Sequence, residues 1–291
     1  VLTAATLDGD VSWNVDAERI EVHSDNMQVA GEDGRANAVL TVRVPRDGGM
    51  PVLEIAARSE DLNLAATGKY VPGHKLSKKT LAWFDNAFVD GRIKSASFEM
   101  NGPVRLFPFR NDEGTFTARA EVENATLLYH DAWLPLTDVA GEVSFHNQSM
   151  NVRVDTGRVG GLTTNGATAE IKDLKDVELR VRAATQGTLT DAFSFLLASP
   201  LASTMLGEQL AKLEGEGAVT ADVRLFLPIK RMERRDVQVN AKIANATLKH
   251  GDIEAPVRAL SGSLSVHNSL LTRAELHGRW LSGPVAVEAM R

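Results

Sequence analysis

The chain has 291 residues, a formal net charge of −6, 43% hydrophobic and only 5% aromatic side chains, and no cysteine. An acidic balance argues against a nucleic-acid partner, which needs a basic stripe, and without cysteine neither disulfides nor thiolate metal sites are available. No stretch reaches the roughly 18 apolar residues of a membrane span; the nearest, Ala192 to Leu206, is broken by Pro200 and several serines.

From the N-terminus, Asp8-Gly9, Asp33-Gly34 and Asp47-Gly48-Gly49 punctuate the chain as β-hairpins require. Spacing then predicts a helix from about Ser77 to Phe88, with Ser77 as N-cap, Leu76 and Leu81 as a hydrophobic staple, and Leu81, Phe84 and Phe88 on one face. Next comes a two-residue alternation: Phe116, Ala118, Ala120 and Val122 against Thr117, Arg119, Glu121 and Glu123. This is strand spacing. It recurs at Val177, Leu179, Val181 and Ala183. An apolar stretch, Leu189 to Leu197, leads into a second predicted helix with Ser199 as N-cap, Pro200 at its first position and Leu206, Leu210 and Leu213 on one face. Alternation resumes at Val219, Ala221, Val223, Leu225 and Leu227 and at Val237, Val239, Ala241 and Ile243, before a turn at His250-Gly251-Asp252. One apolar and one more polar face per strand is the pattern of an antiparallel sheet with one wet side.

The chain also repeats itself. Asn124-Ala125-Thr126-Leu127 returns 121 positions later as Asn245-Ala246-Thr247-Leu248. At that offset Asp131 matches Asp252, Pro135 Pro256, Gly141 Gly262, Ser144 Ser265, His146-Asn147 His267-Asn268, and Gly157-Arg158 Gly278-Arg279. The helices also correspond, Ser77 lying 47 residues before Asn124 and Ser199 46 before Asn245. Such a register marks stacked units. The expected divisions are residues 1–58 as the end of a preceding unit, 59–180 as a unit with the helix at about 77–88, and 181–291 as a unit with helices at about 189–213. The chain begins at Val1 and stops just after the strand-like Val285-Ala286-Val287, so it reads as a piece of a longer protein, with any signal or anchor outside it.

Chemistry is sparse. None of the seven histidines stands in a metal-ligand spacing, and His146 and His267 read as turn residues. There is no G-x-S-x-G elbow or P-loop, and Gly157-Arg158-Val159-Gly160-Gly161 lacks the Lys-Ser/Thr of a phosphate cradle, so its glycines read as a bulge or tight turn. Nothing isolates a pair such as Asp85 and Asp90 from the 38 acidic residues. No catalytic residue, metal or cofactor is expected, and the chain does not read as an enzyme. The basic cluster Lys230-Arg231 with Arg234-Arg235 reads either as a solvated loop or as a contact for an anionic headgroup; Lys75, Lys78 and Lys79 carry the same two readings.

The segment running from Tyr70-Val71-Pro72-Gly73-His74 through Trp83-Phe84-Asp85 to Gly91-Arg92-Ile93 resembles the YhdP family of AsmA-like (AsmA/TamB) envelope proteins. There, a short helix carrying Trp and an acidic residue leads into a Gly-Arg-hydrophobic strand. Asn124 to Phe145, with Trp133-Leu134-Pro135-Leu136 and Gly141-Glu142-Val143, is similar to that family's next block. The resemblance implies part of a Gram-negative protein anchored in the inner membrane outside this segment and reaching across the periplasm. It implies phospholipid as cargo, moved between inner and outer membranes along a hydrophobic groove, with envelope proteins as possible partners. The fold expected is mainly β: an elongated, repeat-built, curved antiparallel sheet forming an apolar groove, with short helices at matching repeat positions. The groove candidates are Phe116, Ala118, Ala120, Val122, Val177, Leu179, Val181, Ala183, Val219, Ala221, Val223, Leu225, Val237, Val239, Ala241 and Ile243. The alternation itself fits an open trough or a filled β core, and a filled core makes the chain an envelope scaffold or interaction protein.

Overall fold

The computed structural model describes residues 6–70, 82–83, 86–203, 208 and 210–290. The alternating stretches form strands: β1 (Thr6–Asp8), β2 (Ser12–Val15), β3 (Arg19–Gly31), β4 (Gly34–Pro45), β5 (Val52–Asn63), β6 (Phe88–Pro103), β7 (Thr115–Leu127) and β8 (Leu136–His146). They continue as β9 (Ser149–Val159), β10 (Leu162–Ile171), β11 (Glu178–Thr188), β12 (Leu213–Pro228), β13 (Asp236–His250), β14 (Val257–His267), β15 (Leu270–Trp280) and β16 (Gly283–Met290). They make one sheet of 16 strands in the order β1-β3-β4-β5 and onward to β16, with β2 also on β3. From β3 onward each strand lies beside its sequence neighbour, so every pairing is antiparallel and local and no crossover is needed. The chain divides into two compact units, one comprising Val1–Ala125, Ala140–Val152 and Ile171–Lys175, the other Thr126–Val139, Arg153–Glu170 and Asp176–Arg291.

The sequence repeat is a repeat of geometry. β8 and β14 have 11 residues each, β9 and β15 likewise, and β6 and β12 have 16 each. Asn147 and Asn268 hold φ of 46° and 47° in the turns after β8 and β14. Each makes the same pair of bonds. Asn147 N–H donates to the Phe116 carbonyl (2.9 Å) while its Oδ1 accepts from Phe116 N–H (2.8 Å); Asn268 does both with Val237 at 2.9 Å. Asparagine suits this position because it tolerates the left-handed region and brings an acceptor to a strand end. The turn role expected of His146 and His267 thus falls to the asparagines beside them. Gly91 and Gly217, at φ of 127° and 118°, approach the neighbouring strand so closely that a Cβ would sit 2.6 Å from the Cα of Ala125 or Ala246.

Helical pieces occur in matching gaps. Between β5 and β6 lie a 3-10 turn, Leu64–Tyr70, and the helical residues Ala82, Trp83, Asn86 and Ala87; between β11 and β12 lie α1 (Leu189–Leu197) and a 3-10 turn, Pro200–Ser203. Of the first predicted helix, Leu76, Ser77, Leu81 and Phe84 lie outside the described residues, as do Lys75, Lys78, Lys79 and Asp85. Phe88 starts β6 instead of ending a helix.

The second prediction is met in part: a 3-10 turn starts at Pro200, Glu208 and Leu210 are helical and Leu210 is buried, while Leu189 to Leu197, read as a lead-in, is itself a helix. Thr188 is its N-cap, in a reciprocal capping box with Asp191 that satisfies two N-terminal donors. Ser199 stands directly before that turn and donates its hydroxyl to the Leu196 carbonyl at 2.7 Å, while Leu213 starts β12 instead of lying on a helix face. Leu206 lies outside the described residues.

Ala259 holds φ of 52° where the matching position carries Asp138 at 51°. Alanine pays for a left-handed backbone and asparagine much less, so Ala259→Asn should stabilise the chain by about 1 kcal/mol. A urea midpoint that stays put or falls would contradict this. Asn147 is buried and its Nδ2 also donates to the Phe109 carbonyl at 3.2 Å. Asn147→Ala should therefore cost about 2 kcal/mol, against about 1 for Asn268→Ala at the exposed equivalent; equal losses in the same titration would refute the ranking.

Candidate functional site

Antiparallel pairing converts the apolar alternation of single strands into rows running across them. In β11, β12 and β13, Val181 pairs with Leu225 and Leu225 with Val237; Ala183 pairs with Val223 and Val223 with Val239. The rows then extend beyond the sequence candidates. Val239 pairs with Val266 of β14, and Ala221–Ala241 continues through Leu264 to Ala274 and Ala289. Val219–Ile243 continues through Gly262 to Leu276 and Val287. The other face carries Thr220, Lys242, Ser263 and Glu275 in one row and Asp222, Asn240, Ser265 and Arg273 in the next. Phe226 breaks the pattern on that polar side, and the Arg180 guanidinium lies over its ring at 4.9 Å from the centroid.

Coverage divides the apolar face. At one end of the strands, Leu189, Ala192 and Phe193 of α1 pack with Val219, Ile243, Ala246 and Leu260 into a buried cluster. Val219, Ala241 and Ile243 are each 8% exposed there. The seat depends on two glycines: a Cβ on Gly215 would lie 2.7 Å from Phe193 and 3.0 Å from Leu189, and one on Gly161 would lie 1.9 Å from Asp191 Oδ1. Thr190 Oγ1 donates to the Gly215 carbonyl at 2.5 Å, and Phe195 packs on Trp133 at 5.6 Å between ring centroids. At the other end, Leu179, Val181, Ala183, Val223, Leu225, Val237 and Val239, with Val177 just before β11, remain half-buried. The buried cluster does not reach them.

In β7, Phe116, Ala118, Ala120 and Val122 are half-buried and alternate with exposed Thr117, Arg119 and Glu121. The alternation stops at Asn124, whose φ of 52° shifts the phase so that Ala125 is the next buried residue. Phe116 belongs to an aromatic cluster, 5.5 Å from Phe98 and 5.1 Å from Phe107, which in turn meets the fully buried Phe109 at 6.0 Å. Here the loop between β6 and β7 fills the face. The matching β13 position is Val237, and the loop before it has no ring.

Sequence reasoning missed α1 as a cover and the contributions of β14 to β16. The Thr188-x-x-Asp191 box was the available signal for the first. For the second, Leu264 and Val266 alternate as clearly as the chosen residues do. Among the described residues no group of His, Asp and Glu gathers as metal ligands would, and no helix is long and apolar enough to cross a membrane.

A large open antiparallel sheet, built by repetition and with one apolar face partly covered by its own helix, is the class of fold that this chain has. Within it, the chain belongs to the YhdP protein family, whose profile matches residues 2–291. It is similar to the intermembrane phospholipid transporter YhdP of Escherichia coli (strain K12), with 26% identity over 220 residues, 76% of this chain and 17% of that protein. The chain thus spans less than a fifth of that relative. No solved structure matches it.

Gly215→Ala forces a methyl group against Phe193 and Leu189 and should cost about 1–3 kcal/mol by overpacking the seat of α1. A denaturation midpoint within error of the unsubstituted chain would contradict that role. Hydrogen bonds from the Thr188 side chain and then its backbone hold the Asp191 carboxyl below the usual carboxylate range. A depressed folded value means that its contribution to stability is present above the unfolded value and is lost as pH falls below about 4. Asp191→Asn should flatten that part of the pH–stability curve; unchanged acid sensitivity would assign it to other groups.

Proposed function

We propose that this chain is a length of a periplasmic lipid-transfer bridge, and that the half-buried end of its apolar face carries the acyl chains of phospholipids moving between inner and outer membranes. The observation that carries the reading is the asymmetric coverage. Rows Val181–Leu225–Val237 and Ala183–Val223–Val239 are apolar and continuous across strands yet lie outside the buried cluster. Membership of the family and the name of the E. coli relative supply the cargo.

The energetics favour such a surface. Each acyl CH₂ costs roughly 0.8 kcal/mol in water, so a lipid with about 30 of them faces a cost on the order of 20 kcal/mol. A continuous apolar row offsets most of this. The work asked of the segment is shielding, and no acid–base or nucleophilic role is assigned to any residue. The membrane anchor and the partners at the two ends belong to parts of the protein beyond this segment. The repeat boundaries are proposed at about 58 and about 180, on the 121-residue offset of the sequence repeat.

One observation favours a second reading: α1 and the Phe98–Phe107–Phe116 cluster are packed cores, as an envelope scaffold would have throughout. Native mass spectrometry with lipid extraction separates the two. The chain expressed in a Gram-negative host should carry phospholipid, and Val239→Asp should lose it while keeping a cooperative melt. A lipid-free chain that Val239→Asp unfolds would favour the scaffold.

A further inference from the structure

The loop joining β12 to β13 reads Ile229-Lys230-Arg231-Met232-Glu233-Arg234-Arg235, interleaving apolar and cationic side chains. Ile229 and Met232 are 52% and 41% exposed. Its cations form two sets. Lys230 Nζ and Arg231 Nη2 reach Asp176 at 3.6 and 3.0 Å, and Arg231 also reaches Glu178 at 3.4 Å. These contacts tie the start of the loop to the segment leading into β11. Arg234 and Arg235 make no ion pair among the described residues, although Arg235 donates to the Met232 carbonyl at 3.4 Å. Of the nearby carboxylates, Glu233 is exposed, and Asp236 is engaged by His267 and by Gln238.

The loop stands at the uncovered end of the apolar face. Leu225 and Val237 are cross-strand partners in the row next to it, and Arg235 precedes Val237 by two residues, about 7 Å along the chain. That distance separates the phosphate of a phospholipid from the start of its acyl chains to within a few ångströms. At the opposite end α1 occupies the face, so a headgroup on this surface meets the loop.

We propose that Arg234 and Arg235 form a headgroup site for the phosphodiester of a phospholipid whose acyl chains lie on rows Val181–Leu225–Val237 and Ala183–Val223–Val239, with Ile229 and Met232 contacting its glycerol end. Two guanidiniums without carboxylate partners suit a phosphodiester, which accepts their paired N–H groups in a charge-assisted fork. The assignment rests on the reading of the apolar face as a lipid surface.

The test is binding of acyl-labelled fluorescent phosphatidylglycerol, and of diacylglycerol with the same label and no phosphate, to the unsubstituted chain, the Arg234→Gln/Arg235→Gln double variant and Val239→Asp. The double variant should bind phosphatidylglycerol on the order of tenfold more weakly and diacylglycerol unchanged. Val239→Asp should weaken both. Unaltered phosphatidylglycerol affinity in the double variant, with loss in Val239→Asp, would overturn the headgroup site and leave the lipid face standing. Binding of neither lipid by the unsubstituted chain would overturn both. Displacement of phosphatidylglycerol by an equal concentration of inorganic phosphate would also overturn the assignment, reducing the site to one for free anions.

Discussion

Everything in this chain depends on strand register. Side chains alternate with period two, so a slip of one residue would send every valine of a row to the polar side. Register is held at defined points. Asn147 and Asn268 tie the turns after β8 and β14 to the second residues of β7 and β13 by paired hydrogen bonds. Asn124 and Asn245 both hold a left-handed conformation, with a register shift at Asn245 in both neighbouring pairings, and Gly91 and Gly217 permit the close approach beside them. A bulge normally interrupts a ladder. Here the left-handed residues stand at the same step of each repeat, and the less exposed positions change parity after both, from Val122 to Ala125 and from Ile243 to Ala246.

The second organising feature is how little of the apolar face the protein covers. α1 is short and is held by local devices: the Thr188–Asp191 box, the Gly215 seat and the Phe195–Trp133 contact. It buries Val219, Ala241 and Ile243 and leaves the rows beyond Ala221 half-buried. Covering those rows would need another turn or two of helix, or rings such as those of Phe107 and Phe109 in the earlier repeat. Their absence beside Val237 concerns composition as much as geometry, since the loop before Val237 has no ring while its counterpart carries Phe107 and Phe109.

Strands were legible in the sequence because their signal is periodic and repeated. Val219 to Leu227 and Val237 to Ile243 fall on the face their alternation assigns, and the repeat at an offset of 121 marks strands of matching length. Helix boundaries were less legible. Ser199-Pro200 does precede a 3-10 turn, yet a separate helix had already begun after Thr188, whose box partner is Asp, not the more familiar Glu. Which parts of the apolar face would be covered was not readable at all. That depends on where α1 lands and on a loop conformation that buries Phe109, and both are outcomes of tertiary packing that two-residue spacing does not encode.

The central claim is that acyl chains touch one face of the sheet and not the other. The direct measurement is site-specific photo-crosslinking in a Gram-negative host grown with radiolabelled phosphate, with the crosslinker placed at Val239 and, separately, at the neighbouring Asn240 on the polar face. The account predicts labelled phospholipid attached at Val239 and background at Asn240. Equal labelling at both positions, or none at Val239 in a folded protein, would contradict it.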